Sequence, residues 1–161
     1  MFFFVHLLQV IFVTIYVLLR RLLPSKVVAF MDIFYIYFVL LLVLHWLVLN
    51  DECIISYIVK KLENKEYVIG TTYDGDLHDY LGFHLASMMI GLSFAMLCLT
   101  MTYLFYNLGM SYVISLIFVF AFISYILVLR FDVRNTIAFA LFKVLILCLM
   151  LIVFASVSRK I

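Results

Sequence analysis

The sequence predicts an all-α integral membrane protein of about five transmembrane helices, with a short amphipathic helix in the loop after the second span. Three observations carry that fold class. Of 161 residues, 69% are hydrophobic and 12% charged, against roughly half apolar and a quarter charged in an average soluble domain. The polar residues are gathered between long apolar blocks and do not alternate with them, so no polar shell is left to wrap a water-borne core. The apolar runs are also continuous, without the alternation of a lipid-facing barrel strand, and in lipid such a segment satisfies its own backbone only as a helix.

At ~1.5 Å of rise per residue, about 20 apolar residues cross a ~30 Å hydrocarbon layer. Five segments have that length: Phe2 to Leu19, Val27 to Leu49, His84 to Tyr106, Ser111 to Leu129 and Thr136 to Val157. The first lacks the basic leader and small-residue cleavage site of a secretory signal and is expected to be retained. The chain is expected to form a single membrane domain.

Between the first two spans, Arg20-Arg21-Leu22-Leu23-Pro24-Ser25-Lys26 carries three positive charges, no negative one and the single proline. It is expected to be a hairpin turn on the cytosolic side. Arg159 and Lys160 fall on the same side if the spans alternate, while Lys60, Lys61, Lys65, Arg130 and Arg134 fall opposite. The basic count is therefore tied, and charge alone orients the chain weakly.

The second span closes on His45-Trp46, two rings suited to the headgroup level. The loop 50–83 follows, the one long polar interval. Asn50 or Asp51 is placed to cap a new helix, with Glu52 near its positive end. At 100° per residue, Ile54, Ile55, Ile58, Val59 and Leu62 share an arc of about 140°, opposite Glu52, Ser56, Lys60 and Glu63. Such a helix fits either a bilayer surface or a neighbouring subunit. Gly70 to Asp76 then reads as a turn, Asp74-Gly75 supplying the positive-φ chemistry.

In the third span Ser87, Gly91 and Ala95 form a small-xxx-small row, the pattern that permits close helix approach in lipid. Asn107-Leu108-Gly109-Met110 predicts a tight turn and an antiparallel pairing of spans three and four. Arg130 to Asn135 connects spans four and five.

Few residues suggest chemistry. Cys53, Cys98 and Cys148 are odd in number and widely spaced, which argues for packing and against a disulfide framework or zinc cluster. Asp74, Asp76, His78, Asp79 and His84 gather metal-type donors in eleven residues, but without the distal glutamate of a calcium loop or the repeated histidine clusters of membrane oxygenases. No nucleophile has a base at recognisable spacing. The expectation is no catalytic residue, no metal and no cofactor, with a metal-dependent membrane enzyme as the remote alternative. A net charge of +2 with no basic stripe excludes nucleic acid as a partner.

Asp32 and Lys143 are ionisable groups inside predicted spans, a functional hypothesis by default. In an alternating arrangement they are offset by roughly 11 Å along the membrane normal, so a direct pair is not expected. Asp32 near one interface and Lys143 reaching toward Asp132 or the headgroups is the plainer reading. A small oligomeric channel or transporter is the second function class. Filter loops, charge rings and broken Gly/Pro-rich helices are absent from the sequence, but a homo-oligomer builds a pore from few polar residues.

The run His45-Trp46, Asn50-Asp51-Glu52-Cys53, Ser56-Tyr57-Ile58 and Lys60-Lys61-Leu62, followed by Tyr67-Val68-Ile69-Gly70, resembles small uncharacterised multispan membrane proteins of large double-stranded DNA viruses. The resemblance covers about residues 40 to 85. It implies no activity. It implies instead a structural role in a virion's internal membrane or the host membrane from which that is made, with capsid or scaffold proteins as partners of the loop. Asn50, Asp51, Glu52, Lys60 and Lys61 are the expected partner-binding residues.

Overall fold

The computed structural model describes residues 2–49, 54–69, 81–130 and 137–161, apart from the side chains of 2, 3, 5, 55, 56, 59, 83, 128–130 and 138. Six helices account for nearly all of them: α1 (Phe2–Arg20), α2 (Ser25–Val48), α3 (Ile54–Glu63), α4 (Phe83–Asn107), α5 (Tyr112–Arg130) and α6 (Ile137–Ser158). No strand occurs among the described residues.

Three helices are long and apolar enough to cross a membrane: Ser25–Val48, His84–Asn107 and Phe139–Ser158. The other two expected spans are helical as well, with His6–Arg20 and Tyr112–Leu127 as their apolar stretches among the described residues. Both whole helices have 19 residues, so each reaches only about 28 Å, the lower edge of what a hydrocarbon layer needs.

The helix ends follow from local chemistry. After α1 the backbone tightens, with Arg21 and Leu22 amides bonding to carbonyls three residues back, Leu18 and Leu19, which serves the orphan acceptors of a helix end. Pro24 then accepts from the Val27 and Val28 amides. It stands just ahead of α2, where its fixed φ and missing N–H cost nothing. The turn expected at Asn107 to Met110 is a Schellman motif: Gly109 has φ 63° and the Met110 amide donates to Phe105 O at 3.0 Å. Glycine supplies that left-handed residue without steric penalty.

The chain divides into two compact units, Met1–Val28 with Val48–Thr100, and Ala29–Leu47 with Met101–Ile161. In the first, Val13 and Tyr16 of α1 and Ala86, Ser93, Leu97 and Thr100 of α4 are buried. The second holds most of the large buried side chains. There α5 and α6 pack on each other. Their buried residues recur at three and four: Ser115, Phe118, Phe122 and Tyr125 on α5, and Ile146, Met150, Val153 and Val157 on α6. That spacing is the seam of helices crossing at a shallow angle. Phe118 stacks on Phe122 and meets Phe105 edge-on at 5.8 Å. The faces away from these seams carry large apolar side chains, among them Phe30 at 68% exposure and Leu141 at 67%.

Two contacts set the register of α2 in this second unit. The Tyr125 hydroxyl donates to Trp46 O at 3.2 Å, a carbonyl in the last turn of α2. Tyr37 meets Phe154 edge-on at 5.4 Å, and its hydroxyl lies 3.1 Å from that of Ser158. The C-terminal end of α2 is thus level with the end of α5, and Tyr37 is level with the end of α6.

Candidate functional site

The described portion of the polar interval between α2 and α4 is a braced structural module. Asn64 is its pivot. Its amide continues the helical pattern to Lys60 O at 2.8 Å, and its side-chain Oδ1 accepts from the Glu66 amide at 3.0 Å, while its carbonyl accepts from the Tyr67 amide at 2.9 Å. Asparagine favours this reversal because its short side chain bonds to the backbone two residues on.

The reversal returns Tyr67 onto the last turns of α3. The Lys61 ammonium donates to Tyr67 O at 2.9 Å, the Lys60 ammonium stands 5.5 Å from the Tyr67 ring centroid, and the Tyr57 and Tyr67 rings lie 6.4 Å apart. Both lysines expected to bind a partner are therefore half-buried and engaged within the module, leaving Lys65 as the fully exposed cation of this turn.

The described side chains of the apolar face of α3 are exposed. Ile54 and Ile58 are half exposed and Leu62 is 77% exposed, a row at i, i+4, i+8. Burying such a side chain fully is worth about 1.5–3 kcal/mol, so the row forgoes on the order of 3 kcal/mol while it stays open. The side chains of its companions Ile55 and Val59 are not among those described, and the partner-binding candidates Asn50, Asp51 and Glu52, Cys53, and the turn Gly70 to Asp76 lie outside the described residues. So do the metal-type donors Asp74, Asp76, His78 and Asp79. His84 is described and exposed near the start of α4.

Asp32 and Lys143 are farther apart than the sequence suggests. Asp32 lies five residues before Tyr37, and Lys143 lies eleven before Phe154 on a helix running the opposite way. The Tyr37–Phe154 contact therefore separates them by about 24 Å along the axis at ~1.5 Å per residue. The expected offset of about 11 Å is corrected because Tyr37, and not the first turn of α2, is level with the end of α6. Lys143 turns toward the start of its own helix, its ammonium 5.7 Å from the Phe139 centroid. That is the direction of the nearer helix end, as snorkelling requires.

The row Ser87, Gly91 and Ala95 does not form the packing face of α4 within the chain. Gly91 and Ala95 are exposed, and a Cβ at Gly91 would meet nothing within 4 Å. The contact face is the neighbouring one, Ala86, Ser93 and Leu97, where larger side chains bury more area and a hydroxyl finds a partner. Ser93 meets Thr14 of α1 at 2.7 Å, a pair that sequence reasoning missed because neither residue is charged. Cys98 is half-buried and Cys148 exposed, both free thiols. The rings of His45 and Trp46 are tilted at 6.2 Å in the last turns of α2. Comparison with protein families, with curated proteins and with solved structures finds no match to the chain.

Proposed function

We propose that this chain is a structural anchor of a membrane, threading five helices through the bilayer and presenting the loop 50–83 to a capsid or scaffold protein, in a viral internal membrane or the host membrane that gives rise to it. The observation that carries the reading is the contrast between surfaces. Every long helix exposes large apolar residues, such as Leu8, Phe30, Leu92, Phe120 and Leu141, whereas the described part of the interval forms a braced turn around Asn64. A lipid-facing body with an ordered polar projection suits attachment. Helices α1 and α5, though short, join the three longer ones as spans, because a 19-residue helix is accommodated by small local thinning of the bilayer. The viral setting rests on the resemblance over residues 40 to 85.

Cysteines at Ser25 and Lys65, both exposed, test the threading with a membrane-impermeant maleimide. Labelling from opposite sides is expected, and labelling of both from one side defeats the five-span arrangement. Cross-linking from Lys65 is expected to recover a capsid-type protein; recovery of the chain alone from assembled particles overturns the anchoring role.

A further inference from the structure

We propose that α3 lies in the headgroup layer of a phospholipid bilayer, Ile54, Ile58 and Leu62 turned toward the acyl chains and the Asn64–Tyr67 reversal on its water side. The inference rests on the membrane-spanning reading and adds what occupies the open face of α3.

Three observations favour lipid as that occupant. The first is reach. α3 begins six residues after the last residue of α2, one of the three helices long and apolar enough to cross a membrane, and six residues extend about 20 Å at most. The second is the form of the face, a row of aliphatic side chains with Tyr57, a ring of apolar body and polar tip, on the flank beyond Lys61. Such rings collect where hydrocarbon meets water. The third is charge. At 100° per residue Lys61 stands about 20° outside one edge of the arc of Ile54, Ile55, Ile58, Val59 and Leu62, and Glu63 about 40° outside the other. The hydrogen bond from the Lys61 ammonium to Tyr67 O holds a positive charge at the border of the face, where lipid phosphates lie above acyl chains.

The test places the environment-sensitive fluorophore NBD on single cysteines at Ile58, Leu62, Glu63 and Leu141, in the full-length chain with Cys53, Cys98 and Cys148 changed to Ala. The carrier is vesicles of phosphatidylcholine and phosphatidylglycerol. Blue-shifted emission at 58 and 62, quenching there by lipid labelled with doxyl near the headgroup, and iodide quenching several-fold weaker than at 63 are expected. Leu62→Glu is expected to return position 58 to iodide-accessible values. Equal iodide quenching at 62 and 63 overturns the proposal, as does protection at 62 that appears only as the protein-to-lipid ratio rises, which marks a second copy as the occupant. Position 141 separates the two readings: lipid quenching there with an aqueous signal at 62 removes the inference alone, whereas an aqueous signal at 141 removes the membrane-spanning reading and the inference with it.

Discussion

The hydroxyls of Thr14 and Ser93 meet at 2.7 Å, and each also approaches the carbonyl four residues back in its own helix, Val10 O at 2.6 Å and Met89 O at 2.8 Å. Two protons thus serve three contacts. One hydroxyl donates across the gap while the other donates home, and the two arrangements interchange without moving a heavy atom.

Because each hydroxyl keeps its own carbonyl when the other is removed, the coupling across the gap is small. A double-mutant cycle of Thr14→Val and Ser93→Ala is expected to give an interaction of about 0.6 kcal/mol and no more than about 1.7, the range of interhelical hydrogen bonds in lipid. Reversible unfolding in mixed micelles measures it. A coupling indistinguishable from zero means that both protons stay on Val10 and Met89.

Tyr125 and Tyr37 offer a comparison of two hydroxyls on one unit. Tyr125 is fully buried and donates to the carbonyl of Trp46, whereas Tyr37 meets Ser158 at an exposed position. Leaving a buried acceptor unmet costs about 1–3 kcal/mol, and losing an exposed bond much less. Tyr125→Phe is therefore expected to lower stability by about 1–2 kcal/mol and Tyr37→Phe by less than half of that. The reverse order would contradict the register assigned to α2.

Gly91 bears on whether a second copy uses the small-residue row. With open space where a Cβ would stand, Gly91→Ala is expected to leave the monomer as stable or to stabilise it by up to about 1 kcal/mol, the propensity gain of replacing glycine in a helix. If Gly91→Leu converts an assembled form to monomer in native electrophoresis while Gly91→Ala does not, the row is an interface between copies. Unchanged assembly in both leaves it facing lipid.

The helices were legible in the sequence because each is set by an unbroken apolar run and by local end signals: Pro24 before α2, and Asn107-Leu108-Gly109-Met110 after α4. The face each helix turns inward was not legible. A helix apolar all round carries no amphipathic stripe to read, so Ser87, Gly91 and Ala95 and the row of Ala86, Ser93 and Leu97 were equivalent until neighbours chose between them. The offset of Asp32 from Lys143 failed for a related reason. It assumed spans trimmed to one pair of planes, whereas Tyr37, well inside α2, meets Phe154 near the end of α6. In the polar interval the amphipathic pattern of α3 was legible because its period is that of a half-covered helix. The return of Tyr67 onto Lys60 and Lys61 was not, because it depends on one side chain, Asn64, acting as a turn.

Asn64→Ala is expected to release that turn. The Glu66 amide loses its acceptor, and a typical hydrogen bond contributes about 1 kcal/mol net, or about fivefold in an opening equilibrium. Hydrogen exchange at Glu66 and Tyr67 should accelerate by that order, and a nonspecific protease should cut between Glu63 and Val68. Lys61→Met is expected to loosen Tyr67 to a similar extent and leave the Glu66 amide protected. Loss of protection at both sites in both variants would mean that the module opens as one piece.

Asp32 and Lys143 decide the standing of the pore reading. At about 24 Å of axial separation they do not touch, and sites beyond ~10 Å add within about 0.3–0.5 kcal/mol. Asp32→Asn combined with Lys143→Met is therefore expected to change stability by the sum of the single effects. Vesicles carrying either variant should be as impermeable to potassium as those carrying the parent chain. A flux in the parent chain that disappears in both variants would show the two residues acting on one conducting path, and would place the channel ahead of the anchor.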